Sequence, residues 1–390
     1  MRASIAVLAS VLLVGCQLAS PTSPSAPSSA GIRASPTPCF DALQCPATPG
    51  PIRTLPPVPT PPPGPTSGTS AETFRIAVGA CLRYSPGGTA LEDIALQKPD
   101  LMVWLGDNIY ADTRDMSVMR GIYDSLAANP RFQALSAAAA DTMAIWDDHD
   151  YGANNANKNW PLKDAAKDEF LRFWGATPDD PRWTQPGVYS ARTFGSGERT
   201  IQVILLDNRY NLDPWDYGGK DPNRDVLGEV QWAWLRDRLA EPATVRIIGS
   251  GVEVVQNYDL NVQWEGWGDS PFARERLFRL IREMGVPGVV FVSGDMHFAE
   301  LTRAVDDGAT LGYPTYDLTP SGLDQIEFDG VLEDWVNPGR VGELLNKPRK
   351  HGMVEVDWAP ADPEIHLEIY DGRDLFVHHV VRLSELQPGA

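Results

Sequence analysis

Short apolar runs alternate with longer helical patterns from residue 73 onward. Runs of strand length lie at residues 74–78, 101–104, 142–146, 201–206, 245–248 and 289–292. Apolar residues recur with helical spacing at residues 116–127, 162–174, 228–240 and 271–284. Because strands and helices alternate along the chain, we expect an α/β fold with a central sheet covered by helices.

The end of the chain has a different pattern. Residues 353–358, 364–370 and 375–382 predict antiparallel strands, and the turn at Asp371-Gly372 joins the last two. The sequence shows no internal repeat. We therefore expect a folded domain over residues 73–386 that ends in an antiparallel strand segment.

Potential metal ligands directly follow four of the predicted strands. They are Cys81 after the first run, Asp107 and Tyr110 after the second, the run Asp147–Asp150 with Asn154 after the third, and Asp295 and His297 after the run at 289–292. In open α/β sheets the loops at the carboxyl ends of strands converge, so these side chains are expected to meet. One thiolate and one imidazole among phenolate and carboxylate oxygens suit an iron ion beside an oxygen-ligated divalent cation.

Each motif also has a purely structural explanation when it is taken alone. A Gly-Asp pair after a strand is commonly a turn, and a cysteine such as Cys81 commonly packs as a small hydrophobe. The acids of Asp147–Asp150 lie so close together that they repel one another unless a cation or an arginine lies among them. The occurrence of all four motifs at strand ends favours a joint metal site.

The composition limits the partners of such a site. The chain of 390 residues has a formal net charge of −19, which argues against a nucleic acid as a structural partner. The same charge would repel a phosphate ester unless the pocket contained cations. Hydrophobic residues make up 43% of the chain, enough for a sizeable core.

Residues 1–16 resemble the signal peptide of a bacterial lipoprotein. Arg2 precedes an apolar run that is too short to span a bilayer and is closed by Gly15-Cys16. The cysteine of a lipoprotein box is lipidated, so this resemblance implies export and a membrane anchor at Cys16. Gln17 follows rather than Asp, which by resemblance to sorting in Gram-negative bacteria implies the outer membrane. The alternative is an ordinary signal peptide with an incidental cysteine.

Residues 17–72 have the composition of a disordered tether. They are rich in Pro, Ser, Thr and Ala, and 15 of the 34 prolines lie between residues 21 and 65. Such a segment cannot bury enough apolar surface to form a core. Cys39 and Cys45 lie within it, and in an oxidising compartment we expect them to form a disulfide.

The four motifs and their order resemble the PhoD-type alkaline phosphatases of the calcineurin-like metallophosphoesterase superfamily. The motifs are Gly-x-Cys, Gly-Asp-x-x-Tyr, Trp-Asp-Asp-His-Asp-Tyr-Gly and Ser-Gly-Asp-x-His, and the resemblance covers residues 73–382. Residues 206–210 and 313–325 also resemble family segments. The resemblance implies a four-layer α/β/β/α fold. It also implies hydrolysis of small phosphate monoesters or diesters by a hydroxide that two cations activate.

The resemblance further implies Fe³⁺ and Ca²⁺ as cofactors, with a role for each motif. The implied iron ligands are Cys81, Tyr110 and His297, the implied bridge between the cations is Asp107, and the implied calcium ligands are Asp295 with Asp148 or Asn154. His149, held by Asp150, would be the general acid or a donor to a phosphate oxygen. Arg209 would clamp the phosphate.

Two departures from the family pattern leave the second cation and its ligands open. Asn154 is accompanied by Asn155 and Asn157, so the position of an amide ligand is ambiguous. Residues 250–256 contain no histidine where many metallophosphoesterases have one.

Two other classes of function compete with an exported phosphoesterase. A serine hydrolase would need a Gly-x-Ser-x-Gly elbow, which the chain lacks. A scaffold lipoprotein that kept the fold and lost activity is expected to have lost ligands one by one, whereas every motif here keeps its polar residues. The sequence therefore favours the phosphoesterase.

Overall fold

The structure is a computed structural model that describes residues 72–83, 89–214, 221, 223–255, 265–305, 310–327 and 336–389. The expected signal peptide, the Cys39–Cys45 disulfide and the tether apart from its last residue, Glu72, lie outside the described residues and stay predictions. Within the described ranges, no helix combines the length and the apolarity needed to cross a bilayer.

The first sheet combines the start and the end of the folded region. Its described strands are β1 (Thr73–Gly79), β2 (Leu101–Leu105), β3 (Thr142–Ile145), β10 (Lys350–Asp357), β11 (Glu364–Asp371) and β12 (Asp374–Arg382). They lie in the order β12-β11-β10-β1-β2-β3. β1, β2 and β3 are parallel, whereas β10, β11 and β12 add as antiparallel neighbours, which confirms the predicted C-terminal segment.

The second sheet is formed by the middle of the chain. Its described strands are β4 (Ser190–Ser196), β5 (Arg199–Leu205), β6 (Val245–Ser250), β7 (Val289–Ser293), β8 (Ala299–Arg303) and β9 (Tyr316–Pro320). They lie in the order β4-β5-β6-β7-β9-β8. The four central strands are parallel, and β4 and β8 are antiparallel edges.

The two sheets pack face to face. Gly249 of β6 lies so close to β2 that a Cβ there would be 3.0 Å from the side chain of Leu105. Gly352 of β10 lies against Pro320 of β9, where a Cβ would be 2.8 Å from the proline ring. The apolar core therefore lies between the sheets as well as beneath the helices.

Helices cover the outer faces of both sheets. The described helices are α1 (Ala90–Gln97), α2 (Met116–Ala127), α3 (Pro130–Ala138), α4 (Asp148–Tyr151), α5 (Lys163–Phe173), α6 (Gly228–Leu239) and α7 (Pro271–Glu283). On the first sheet, the ring of Trp104 in β2 lies 5.7 Å from that of Phe132 in α3. On the second, Phe291 in β7 lies 5.8 Å from Phe278 in α7. The predicted four-layer α/β/β/α arrangement is confirmed.

Candidate metal centre

The four sequence motifs meet at the carboxyl ends of strands from both sheets. Three groups of side chains have donor atoms that lie within 4.8 Å of one another. The groups are Cys81 with Asp107 and His297; Asp107 with Asp147, Asp148 and Asp295; and Asp107 with Asp148 and His149. The geometry thus brings together six of the seven expected metal ligands, since Tyr110 also lies beside His297.

Asp107 belongs to all three groups and lies at their centre. It follows β2 directly and is fully buried. Its Oδ1 accepts a hydrogen bond from the backbone N–H of His149 at 3.2 Å. Its Oδ2 is buried and has no hydrogen-bond partner among the described residues. A buried carboxylate oxygen without a donor is costly unless a cation is bound to it.

The backbone at the centre is strained. Four proposed ligands have left-handed φ values, which are uncommon for residues other than glycine: Cys81 at 57°, Asp107 at 49°, Asp295 at 70° and His297 at 54°. Such conformations cost free energy and persist where the surrounding structure enforces them, typically at functional sites. Here they turn the chain sharply after three strands and aim the side chains at one point.

Sulfur, phenol and imidazole donors lie on one side of Asp107. The Tyr110 hydroxyl lies 3.0 Å from His297 Nε2. The Cys81 Sγ lies 3.3 Å from the Ser321 hydroxyl. Gln325 Nε2 donates to the Tyr110 hydroxyl and, at 3.1 Å, to the carbonyl of Cys81. These contacts fix the orientation of a thiol, a phenol and an imidazole around a common space.

Burial and neighbouring acids raise the pKa values of these groups. Burial, followed by the charges of Asp107 and Asp295, raises the pKa of the Cys81 thiol well above its usual range. Burial, followed by the Cys81 and Asp107 charges, raises the pKa of the Tyr110 phenol. Both groups ionise far more readily when a cation lies beside them, since a bound metal favours the thiolate and the phenolate.

Carboxylates crowd the other side of Asp107. Burial, with Asp148 as the next cause, raises the pKa of Asp107 well above its usual range, and burial with Asp147 does the same for Asp295. Burial alone would also raise the pKa of Asp148, but the nearby Arg209 guanidinium and His149 ring lower it below its usual value. Without added positive charge, these carboxylates therefore repel one another when they ionise.

The residues present fit a pair of bound cations. Asp148 Oδ2 accepts from the backbone of Asn155 at 2.6 Å, but its Oδ1, like Asp107 Oδ2, is buried without a hydrogen-bond partner in the described part of the chain. Thiolate, phenolate and imidazole are ligands that iron accepts, whereas the all-oxygen side suits a hard cation such as Ca²⁺. Asp107 lies where it can serve both sides.

The structure contradicts the expected phosphate clamp at Arg209. The side chain is completely buried. Its Nε and one terminal nitrogen donate to the two carboxylate oxygens of Asp147 at 2.6 and 2.8 Å, and its other terminal nitrogen donates to Glu265. All of its nitrogens are thus engaged with buried acids. Arg209 neutralises the carboxylate cluster from behind, and its complete burial keeps it from contact with a substrate.

The expected partnership of His149 with Asp150 is also wrong. His149 Nδ1 lies 2.7 Å from an oxygen of Asp112 instead. Asp150 accepts from the backbone N–H of Asp147 at 2.7 Å and from the amide side chain of Asn108 at 2.5 Å. Asp150 therefore caps the short helix α4 and fixes the loop after β2, because its carboxylate satisfies backbone and amide donors there.

Asn154 differs from the other expected ligands because its side chain is exposed. Its neighbour Asn155 supplies the backbone donor to Asp148. The assignment of Asn154 as a calcium ligand stays a prediction, whereas Asp147 is brought directly into the carboxylate group.

Two residues of the site, Asp112 and Gln325, were not predicted. Asp112 has a φ of 42° and lies beside the His149 ring, although the sequence shows only an acid five positions after Asp107. Gln325 closes the segment 313–325 that resembled the family, but no pattern indicated that its amide contacts Tyr110. Both pairings join loops after different strands, so sequence spacing could not show them.

Comparisons with known proteins agree with this geometry. Residues 76–315 match the PhoD-like phosphatase family. Alkaline phosphatase D of Bacillus subtilis (strain 168) is 24% identical over 278 residues, which cover 60% of this chain and 47% of that protein. The chain thus spans about half the length of this curated relative.

Solved structures show the same fold. The structure of PhoD has a TM-score of 0.62 at 18% identity and covers 82% of this chain and 70% of its own. GAP50, the anchor in the inner membrane complex of Plasmodium, has a TM-score of 0.50 at 12% identity, with 81% and 90% covered. The family match includes the motifs around Cys81, Asp107, Asp148 and Asp295, which the structure gathers into one centre. The chain belongs to the PhoD-like phosphatase family.

Proposed function

We propose that the protein is an exported phosphoesterase that hydrolyses phosphate monoesters or diesters at a centre of two cations. The observation that supports this most strongly is the position of Asp107, which is shared by three groups of donor atoms and keeps a buried oxygen without a hydrogen-bond donor among the described residues. A carboxylate in that position can bridge two cations. Membership of a phosphatase family supports the reaction class.

We assign the identity of each cation from the type of its donor atoms. Cys81, Tyr110 and His297 hold Fe³⁺ on one side of Asp107, because thiolate and imidazole donors favour a transition metal. Asp148 and Asp295 hold Ca²⁺ on the other side, with Asp147 close by, because calcium takes oxygen ligands. This assignment keeps the ligands that the sequence resemblance implied.

The chain's own residues supply the remaining chemistry. When bound, the two cations provide an activated water and neutralise phosphoryl oxygens. His149 gives a proton to the leaving oxygen of the ester. Burial alone would lower the pKa of His149, but the hydrogen bond from its ring to Asp112 and the charge of Asp148 raise it above its usual value. The ring therefore keeps its proton to a higher pH than a free histidine does.

Arg83 takes the place of Arg209 as the candidate contact for the substrate phosphate. Its side chain is exposed, and its guanidinium carbon lies 5.8 Å from the centre of the Tyr110 ring. This position puts a positive charge at the rim of the centre, where an incoming phosphate would pass. A guanidinium can form two parallel hydrogen bonds to phosphate oxygens.

The start of the chain supports export and anchoring. Residues 1–16 have the order of a lipoprotein signal, and Cys16 would attach the protein to a bacterial membrane, with the outer membrane as the expected address. Residues 17–72 would then hold the folded region away from that membrane.

A substrate panel combined with elemental analysis tests the proposal. The purified full chain is assayed with aryl and alkyl phosphate monoesters and diesters before and after removal of metal by a chelator. We expect turnover of at least one ester class, its loss on chelation, and its recovery when iron and calcium are returned. A preparation that contains both metals in full and turns over no ester would refute the proposal and favour the scaffold alternative.

A further inference from the structure

Two histidines and a glutamate form a second group of metal donors, on the ladder between β11 and β12. His366 and Glu368 alternate along β11 with Leu367, which is completely buried, so both point away from the core. His378 on β12 pairs directly with Glu368. One donor atom from each of these three residues lies within 4.8 Å of the others. None of them belongs to the centre around Asp107.

The two histidine rings face each other through their nitrogens. His366 Nδ1 lies 2.9 Å from His378 Nε2, and the ring planes differ by only 19°. Two imidazole nitrogens at this separation share either one proton or one cation. The choice between these two depends on what surrounds the pair.

Neighbouring groups hold His366 and Glu368 in the orientation of metal ligands. The far nitrogen of His366, Nε2, is buried without a hydrogen-bond partner in the described structure and lies 3.7 Å from a carboxylate oxygen of Glu364. A ligating histidine commonly directs its second N–H at a carboxylate in this way. The Tyr370 hydroxyl donates to Glu368 Oε2 at 2.8 Å. The other carboxylate oxygen, Glu368 Oε1, lies 3.8 Å from His378 Nε2.

We propose that His366, Glu368 and His378 bind one divalent transition-metal cation of the zinc type, separate from the catalytic centre. Two imidazoles and one carboxylate are a ligand set that zinc accepts while keeping a position for water. With Zn–N bonds of about 2.05 Å, nitrogens 2.9 Å apart subtend about 90° at the metal, and a tetrahedral angle needs about 3.3 Å. The His378 side chain is 41% exposed, so it can move by this small amount.

The cation would fasten the edge of the first sheet. β12 is an edge strand that follows β11 through the turn at Gly372. A metal held by side chains of both strands binds the folded hairpin and not the unfolded one. Zinc is therefore expected to raise the unfolding temperature of the protein.

A comparison of the zinc content of the wild type and three variants tests the proposal. The purified full chain and three variants, His366→Gln, His378→Gln and His379→Gln, are dialysed against the same micromolar Zn²⁺ and analysed for bound zinc. His379 is the matched control, because it adjoins His378 on β12 and its ring instead packs 5.1 Å from that of Tyr316. Zinc in the catalytic centre is common to all four proteins and cancels.

We expect the wild type and His379→Gln to hold a further equivalent of zinc that both His366→Gln and His378→Gln lack. We expect zinc to raise the unfolding temperature in the first two proteins by more than in the last two, while phosphatase turnover is the same in all four. Equal zinc content in all four would overturn the proposal.

A second measurement needs no variant. Crystals of the full chain soaked in Zn²⁺ should show an anomalous peak between the rings of His366 and His378. Absence of that peak would mean that the rings share a proton, which also overturns the proposal.

Discussion

Replacement of Arg209 tests whether this residue neutralises the buried acids or binds the substrate. In Arg209→Met the side chain keeps much of its length but loses its charge and all of its donors. The completely buried guanidinium forms two hydrogen bonds with Asp147 and one with Glu265. It also lies 4.0 Å from Asp148. The change therefore leaves Asp147, Asp148 and Glu265 without the positive charge of the guanidinium that they share.

The expected loss of stability follows from this burial. Removal of one partner from a buried ion pair costs about 3–5 kcal/mol, because the remaining charge is neither hydrated nor paired. Arg192→Met is the matched control, since Arg192 also binds one carboxylate, that of Asp141, through two nitrogens. The Arg192 side chain is 41% exposed, so its pair is expected to contribute about 0–1 kcal/mol.

Urea unfolding of the three proteins measures the difference. The titrations are made with metals chelated, so that bound cations do not stabilise the acids in place of Arg209. We expect the free energy of unfolding to fall by about 3–5 kcal/mol in Arg209→Met and by less than about 1 kcal/mol in Arg192→Met. If Arg209→Met were as stable as Arg192→Met and raised KM alone, the arginine would be a substrate clamp and our reasoning would be wrong.

The remaining predictions concern the general acid, the iron ligand and the anchor. His149→Ala should lower kcat by about 10²–10⁴-fold with alkyl esters, and by less with aryl esters whose leaving groups need no proton, while elemental analysis finds both metals. Tyr110→Phe should remove the visible absorption band that a ferric tyrosinate gives to the wild type. Cys16→Ala should move the protein from the membrane fraction to the soluble fraction without a change in turnover, and a chain that begins at Ala71 should be as active as the full chain.

Each of these predictions has an outcome that contradicts it. Loss of the metals from His149→Ala would make this residue a ligand rather than an acid. A colourless, iron-free wild type that is fully active would exclude the iron assignment. Loss of activity in the chain that begins at Ala71 would show that residues 17–72 contribute to the folded region.

Strong apolar periodicity made most of the fold predictable. The helix α2 occupies the predicted residues 116–127, α5 is shorter than predicted by one residue at each end, and α6 and α7 each end one residue early. β4 was not predicted, since Ser190–Ser196 is an exposed edge strand with few apolar residues to form a pattern. α3 was also missed, because one residue alone, Leu135, is buried along it and its apolar face is weak.

The positions of the candidate ligands could be predicted for a different reason. Cys81, Asp107, Asp295 and the run after β3 each follow a buried strand directly, so their position is determined by the local sequence. The partners of these ligands come from loops that are distant in sequence. Arg209 is an example: its charge indicated phosphate binding, but its burial against Asp147, 62 residues away, shows a structural role.

The metal content of Asp107→Ala tests the central claim most directly. Asp107 is shared by the three groups of donors at the centre, and if it bridges two cations as proposed, its replacement removes a ligand from each of them at once. Elemental analysis of purified wild type and Asp107→Ala, with turnover measured on the same samples, gives the answer. We predict that the variant loses both iron and calcium together with its turnover. A variant that keeps either metal in full, or that keeps its activity, would contradict a centre in which Asp107 bridges two cations.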